Sequence, residues 1–213
     1  MALARDERRE LAELLETLTP EQWATPSLCA GWSVRDVVAH IVSYEVIGWR
    51  GLPGRAVKAL LGRRTGHTGA RGFGDRANAV GLRELAGHTS THLLALLRDH
   101  LTPRGLTSFP DGRIALTDGL IHQQDIRRPL GRPRTVAPER LAVVLPQALR
   151  APLIPARQNA DGLRLVATDV DWSAGDGPEV RGPGEAILMA IAGRRPALGD
   201  LEGDGVPVLA ARL

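Results

Sequence analysis

Two short stretches of the chain hold residue types that bind divalent cations. SVRDVVAHIVSYE (33–45) carries His40, and LTDGLIHQQDI (116–126) carries Asp118, His122 and Asp125. Residues four apart on a helix lie one above the other, so Asp118 and His122 form a chelating pair. Asp125 falls on the same face, flanked by Ile114 and Ile121. Burying two carboxylates is costly because each resists leaving water and they repel each other; a divalent cation removes both penalties. A chelating pair from one helix and a histidine from a neighbour give three protein ligands, leaving a position for water or substrate. Asp125 is then either a fourth ligand or an acceptor that orients His122. Plainer accounts are a half-buried histidine bonded to a carbonyl and an exposed polar face on a short helix, and spacing alone does not separate them from the metal site.

Other candidates carry less. HTSTH sets His88 and His92 four apart, the better zinc spacing, but leucines follow and acidic support is scarce. His67 and His100 read as surface or loop residues. GFGDRA (72–77) imitates a dinucleotide fingerprint without the strand that must precede it. Cys29 lies in a loop with no placed base and reads as a small buried side chain rather than a nucleophile.

The positioning elements follow from periodicity. Leu11, Leu14, Leu15 and Leu18 mark the buried face of a first helix. Thr19, Pro20 and Gln22 start a short turn of helix through a capping box, and TPSLCAGW follows as a loop. Ser33 with Asp36 caps a second long helix reaching about Trp49, on which His40 and Tyr44 sit beside the stripe of Val34, Val37 and Ile41. A connector at 51–72 leads to a helical pattern from Asp75 to His100, weakened by Gly81 and Gly87 and stopped by Thr102 and Pro103. Further helices are expected at 111–127 and 139–150. After about residue 155 the texture changes: 162–172 is rich in β-formers, SAGDGPEV is turn chemistry, GEAILMAIAG is a compact helix, and 206–210 is expected as a strand. The fold class is therefore mainly α: a helical bundle over 1–135, a helical connector over 136–155 and a small α+β domain over 156–213.

Composition bounds the function. No apolar run approaches the roughly 20 residues of a membrane helix, and the N-terminus has no signal core, so a cytoplasmic protein is expected. One cysteine allows neither an internal disulfide nor a multi-cysteine zinc site. The net charge is only +3 and the basic excess is almost all arginine, with Lys58 the single lysine, which argues against nucleic acid.

CAGWSVRDVVAH and ALTDGLIHQQDI, in this order, resemble the mycothiol-dependent maleylpyruvate isomerase family, a branch of the DinB-like metalloenzyme superfamily. That likeness covers 5 to about 130, and GLRLVATDVDWSAGDGPEVRGPGEAILMAIAGR is similar to the family's sterol-carrier-like C-terminal domain. The resemblance implies a DinB-like four-helix bundle in which His40, Asp118 and His122 bind a divalent metal, usually zinc. The isomerase has glutamate where this chain has Asp118. Mycothiol is the implied cofactor, its metal-bound thiolate adding to an electrophilic small molecule, for isomerisation or thiol transfer. Arg181 and Arg194 are candidates to hold substrate carboxylates. The expected partners are that substrate and the low-molecular-weight thiol, with no nucleic acid or membrane, in a monomer or homodimer. The alternative is a metal-binding bundle with a binding or regulatory role and no turnover.

Overall fold

A computed structural model describes residues 1–61 and 72–213 of the chain. Two compact units divide it, Met1–Pro133 and Arg134–Leu213. Among the described residues no helix is long and apolar enough to cross a membrane.

The first unit contains α1 (Ala2–Glu16), α2 (Pro20–Trp23), α3 (Val34–Leu61), α4 (Phe73–Glu84), α5 (Ser90–Asp99) and, after a 3-10 turn at Gly105–Ser108, α6 (Arg113–Arg127). Its helix starts follow local chemistry. Thr19 and Gln22 close the capping box of α2, and Ser33 and Asp36 close another at α3, where Asp36 N–H donates to Ser33 Oγ at 3.2 Å and Ser33 N–H to Asp36 Oδ2 at 3.0 Å. α1 packs on α5 and α6, and α3 packs on α5 and α6, which closes a four-helix ring; α4 covers α3 from outside. Leu11, Leu15, Val37, Ile41, Leu93 and Ile126 fill the ring. Each fully buried leucine contributes about 2 kcal/mol by leaving water.

Three sequence expectations change here. The second helix does not end at Trp49: Gly48 takes φ 55° and ψ −167°, a conformation open to glycine, and the helix resumes in a new direction as far as Leu61. The expected connector at 51–72 is thus helical to Leu61, and its remainder, with His67, lies outside the described residues. The pattern from Asp75 to His100 is two helices, because Thr89 accepts from His92 N–H at 3.2 Å and starts α5 afresh. The helix expected from 111 begins at Arg113, since Asp111 and Gly112 are both left-handed, with φ of 49° and 76°.

A buried charge cluster ties this unit together. Arg8 on α1 donates to Glu45 Oε1 on α3 at 2.6 Å and to the His100 carbonyl at 2.7 Å. Glu45 also accepts from the Arg104 N–H at 2.7 Å and from the Thr107 hydroxyl.

The second unit contains α7 (Pro138–Arg150), α8 (Ala156–Ala160), a sheet of β1 (Arg164–Ala167), β2 (Ser173–Ala174) and β3 (Glu179–Gly182), then α9 (Gly184–Ile191) and α10 (Val206–Ala210). The order is β2-β1-β3, with β2 antiparallel and β3 parallel to β1. α9 is buried at every residue but Glu185 and packs on β1 and β3, its first amide held by Asp169 Oδ1 at 2.7 Å. α7, expected as part of a connector, packs against α8 and α9 within this unit. The strand expected at 206–210 is instead the short helix α10. Pro207 near its start supplies a helical φ and lacks the N–H that a strand would need.

Candidate metal centre

His40 reaches the site from the straight first half of α3, while Asp118 and His122 come from successive turns of α6. Asp118 Oδ1 lies 3.5 Å from His40 Nε2 and 3.4 Å from His122 Nε2. The two imidazoles meet edge to face with centroids 4.7 Å apart. Both histidines are buried, whereas 37% of the Asp118 side chain is exposed, so the site opens to solvent at the carboxylate.

These spacings test whether the three donors fit a cation. Ordinary N–H···O bonds are about 2.7–3.2 Å long, and both contacts exceed that. Ligand atoms at zinc distances of 2.0–2.2 Å on tetrahedral corners are about 3.4 Å apart, which matches. Among the described residues His40 Nδ1 is buried without a hydrogen-bond partner, so neither nitrogen of that ring makes a bond of ordinary length with them. A buried imidazole so little used for hydrogen bonding suits coordination.

Electrostatics agree. Burial pushes the His40 pKa down, only partly offset by Asp118, which leaves the ring neutral as a ligand must be. Burial would raise the Asp118 carboxyl, but the His122 charge and contacts from both imidazoles hold it well below the usual carboxylate range. Burial would likewise lower His122, yet the Asp118 charge, with further help from its contacts to Asp118 and Asp125, raises it well above the usual histidine range. Without a cation, the proton on His122 supplies the positive charge beside Asp118.

Asp125 takes a different place from Asp118. It is completely buried and accepts from His122 Nδ1 at 2.9 Å, behind the ring rather than beside the other ligands. The arrangement fixes the tautomer that presents Nε2 toward Asp118. Of the two carboxylates on this face, then, only Asp125 is fully buried.

The loop before α3 also reaches the site. Cys29 Sγ lies 3.0 Å from Asp125 Oδ2 and 3.6 Å from His122 Nδ1. The Trp32 ring faces both imidazoles, with centroids 5.2 Å from His40 and 6.3 Å from His122. The Tyr44 ring closes the far side of His40 at 5.6 Å, its hydroxyl donating to Asn78 Oδ1 at 2.8 Å and its face covered by Arg55. The signal in the sequence was CAGW standing just before a ligand-bearing helix.

The remaining candidates separate. Among the described residues the donor groups that could hold a cation are His40–Asp118–His122 and Cys29–His122–Asp125. His88 and His92 stack edge to face at 4.6 Å but belong to neither group. His100 contacts the Leu96 carbonyl through Nδ1 at 2.8 Å. GFGDRA begins α4, where Asp75 accepts from the Gly72 N–H at 3.3 Å. Arg181 and Arg194 lie in the second unit: Arg181 on β3 is 3.8 Å from Glu179 and 3.9 Å from Glu202, and Arg194 donates to the Ala192 carbonyl at 2.7 Å.

Comparison with known proteins adds one decisive match. The family model of the mycothiol maleylpyruvate isomerase N-terminal domain matches residues 4–127, more than half the chain. No curated protein matches. A crystal structure of a histidine-to-alanine mutant of the mycothiol-dependent maleylpyruvate isomerase is similar at 19% identity and a TM-score of 0.49, over 95% of this chain and 90% of that one. A crystal structure of the mycothiol-dependent maleylpyruvate isomerase is similar at 20% identity and a TM-score of 0.41, over 91% of this chain and 87% of that one. At these levels the two structures carry no weight beyond the family match.

Proposed function

The chain belongs to the mycothiol maleylpyruvate isomerase N-terminal domain family, and on that premise we propose that it is a metal- and mycothiol-dependent enzyme acting on a small electrophilic molecule, as an isomerase or a thiol transferase. The observation that supports this best is the convergence of one donor atom each from His40, Asp118 and His122 within 4.8 Å of one another, with Asp118 Oδ1 at tetrahedral-edge spacing from both imidazole Nε2 atoms. In this reading those three residues hold a divalent cation, zinc being suited to two nitrogens and a carboxylate oxygen. When bound, the cation and mycothiol together supply a thiolate at neutral pH for addition to an electrophilic double bond, the step common to isomerisation by addition and elimination and to thiol transfer.

The chain's own residues prepare that chemistry. Burial delivers His40 as a neutral donor. Asp125 keeps a proton on His122 Nδ1 and so aims Nε2 at the site. Trp32 and Tyr44 wall the imidazoles with apolar surface that excludes water, while the exposed edge of Asp118 marks the side open to the thiol and substrate. Arg181 and Arg194 are the proposed holders of substrate carboxylates, since a guanidinium grips a carboxylate through two parallel hydrogen bonds.

The test is turnover of zinc-loaded protein with mycothiol and a panel of electrophiles that includes maleylpyruvate. Turnover that requires the thiol and disappears in His122→Ala is expected. Inertness toward the whole panel, with and without thiol, would overturn the enzymatic reading and leave a metal-binding bundle.

A further inference from the structure

We propose that Cys29 is a positioning residue: its thiol, bonded to Asp125, steadies the carboxylate that sets the His122 ring. Its consequence for cation binding rests on the reading of His40, Asp118 and His122 as ligands; its effect on the ring does not.

The loop that carries Cys29 is tied to itself and to α6. Pro26 and Ser33 form an antiparallel bridge, and the Trp32 carbonyl accepts from Ser27 N–H at 2.8 Å and Ser27 Oγ at 2.9 Å. Cys29 N–H donates to Ser27 Oγ at 3.1 Å, and Trp32 N–H to the Cys29 carbonyl at 3.0 Å. Gly31 turns the chain with φ 78°. Leu28 N–H then donates to the backbone carbonyl of Asp125 at 3.1 Å, which anchors the loop on α6 beside the site.

From that anchored position the Cys29 thiol donates to Asp125 Oδ2 at 3.0 Å, the same oxygen that accepts from His122 Nδ1 at 2.9 Å. A carboxylate with no exposed surface needs donors to hold its charge and orientation, and these are two of them. The order of contacts also separates this role from that of a nucleophile. In a nucleophile–imidazole–carboxylate triad the thiol and carboxylate use opposite ring nitrogens. Here both lie at Nδ1, the thiol at 3.6 Å and the carboxylate at 2.9 Å, and Nε2 faces Asp118, so the ring is not set between thiol and carboxylate as in such a triad.

The test compares wild type with Cys29→Ala, Cys29→Val and Cys29→Ser. In metal-free protein, proton NMR reads the persistence of the His122 Nδ1–H resonance; cobalt titration reads affinity and the visible bands of the bound ion. Loss of the donor in Cys29→Ala and Cys29→Val is expected to speed exchange of the Nδ1–H and weaken cobalt binding about tenfold. Cys29→Ser, which keeps a donor, should restore both. Cys29→Val keeps apolar bulk in the loop, so a wild-type melting temperature in that variant guards against simple unfolding. An Nδ1–H signal and cobalt affinity unchanged in both donor-less variants would overturn the proposal. Should wild type bind no cobalt while the NMR difference persists, the positioning role stands and the metal reading falls.

Discussion

The imidazoles of His40 and His122 meet edge to face at 4.7 Å, one from the straight half of α3 and the other from the centre of α6. Asp118, one turn before His122, completes the group from the solvent side. Two buried rings and one partly exposed carboxylate give a site that opens to solvent at Asp118.

The carboxylate at position 118 should dominate affinity. Asp118→Asn removes the negative charge while keeping an oxygen, and the loss of a charged partner, about 1.5–3 kcal/mol, corresponds to roughly ten- to a hundredfold weaker zinc binding. Asp118→Glu, the residue that the resemblance places here, should stay within about tenfold of wild type. Calorimetric titration of both variants with zinc measures the difference.

Metal binding should strengthen as pH rises. His122 is held well above the ordinary histidine range in the metal-free protein by Asp118, and a cation must displace that proton. In the metal-free fold, the raised value contributes stability that is complete below the unfolded histidine pKa of about 6.5 and is lost as pH climbs through the folded value. Cation binding has the opposite sign: affinity should rise about tenfold per pH unit below the His122 pKa and level off above it. Zinc titrations across that range, with proton release measured in two buffers, check the slope.

The Arg8–Glu45 pair should matter for stability rather than chemistry. Both side chains are almost wholly buried, so Glu45→Gln strands the Arg8 charge and should cost about 3 kcal/mol in urea denaturation. Zinc affinity, measured well below the denaturation midpoint, should change little.

Arg181 and Arg194 can be judged by kinetics. If either grips a substrate carboxylate, its replacement by alanine should raise KM about tenfold or more while zinc affinity stays put. Unchanged KM in both would overturn that role.

Much of the fold was legible because its signals are local. Thr19–Gln22 and Ser33–Asp36 announced helix starts, and the leucine spacing of α1 announced its buried face. The convergence of His40 with the Asp118 and His122 pair was expected from residue type, spacing and family resemblance together. What stayed hidden depends on tertiary contact. Gly48 looks like any helical glycine until the chain turns at it, and Pro207 inside a run of valines conceals a helix in a strand-like composition. Cys29 carries no signal in the sequence because a lone thiol gains its role only when the loop brings it against Asp125.

The central claim is best tested by X-ray absorption on zinc-loaded protein, wild type and His122→Ala. The account predicts one zinc per chain with only nitrogen and oxygen neighbours from the protein at about 2.0–2.2 Å, including two imidazoles in wild type and one or none in the variant. A sulfur neighbour at about 2.3 Å in the absence of added thiol would place the ion at Cys29 and contradict it, as would an environment unchanged by His122→Ala.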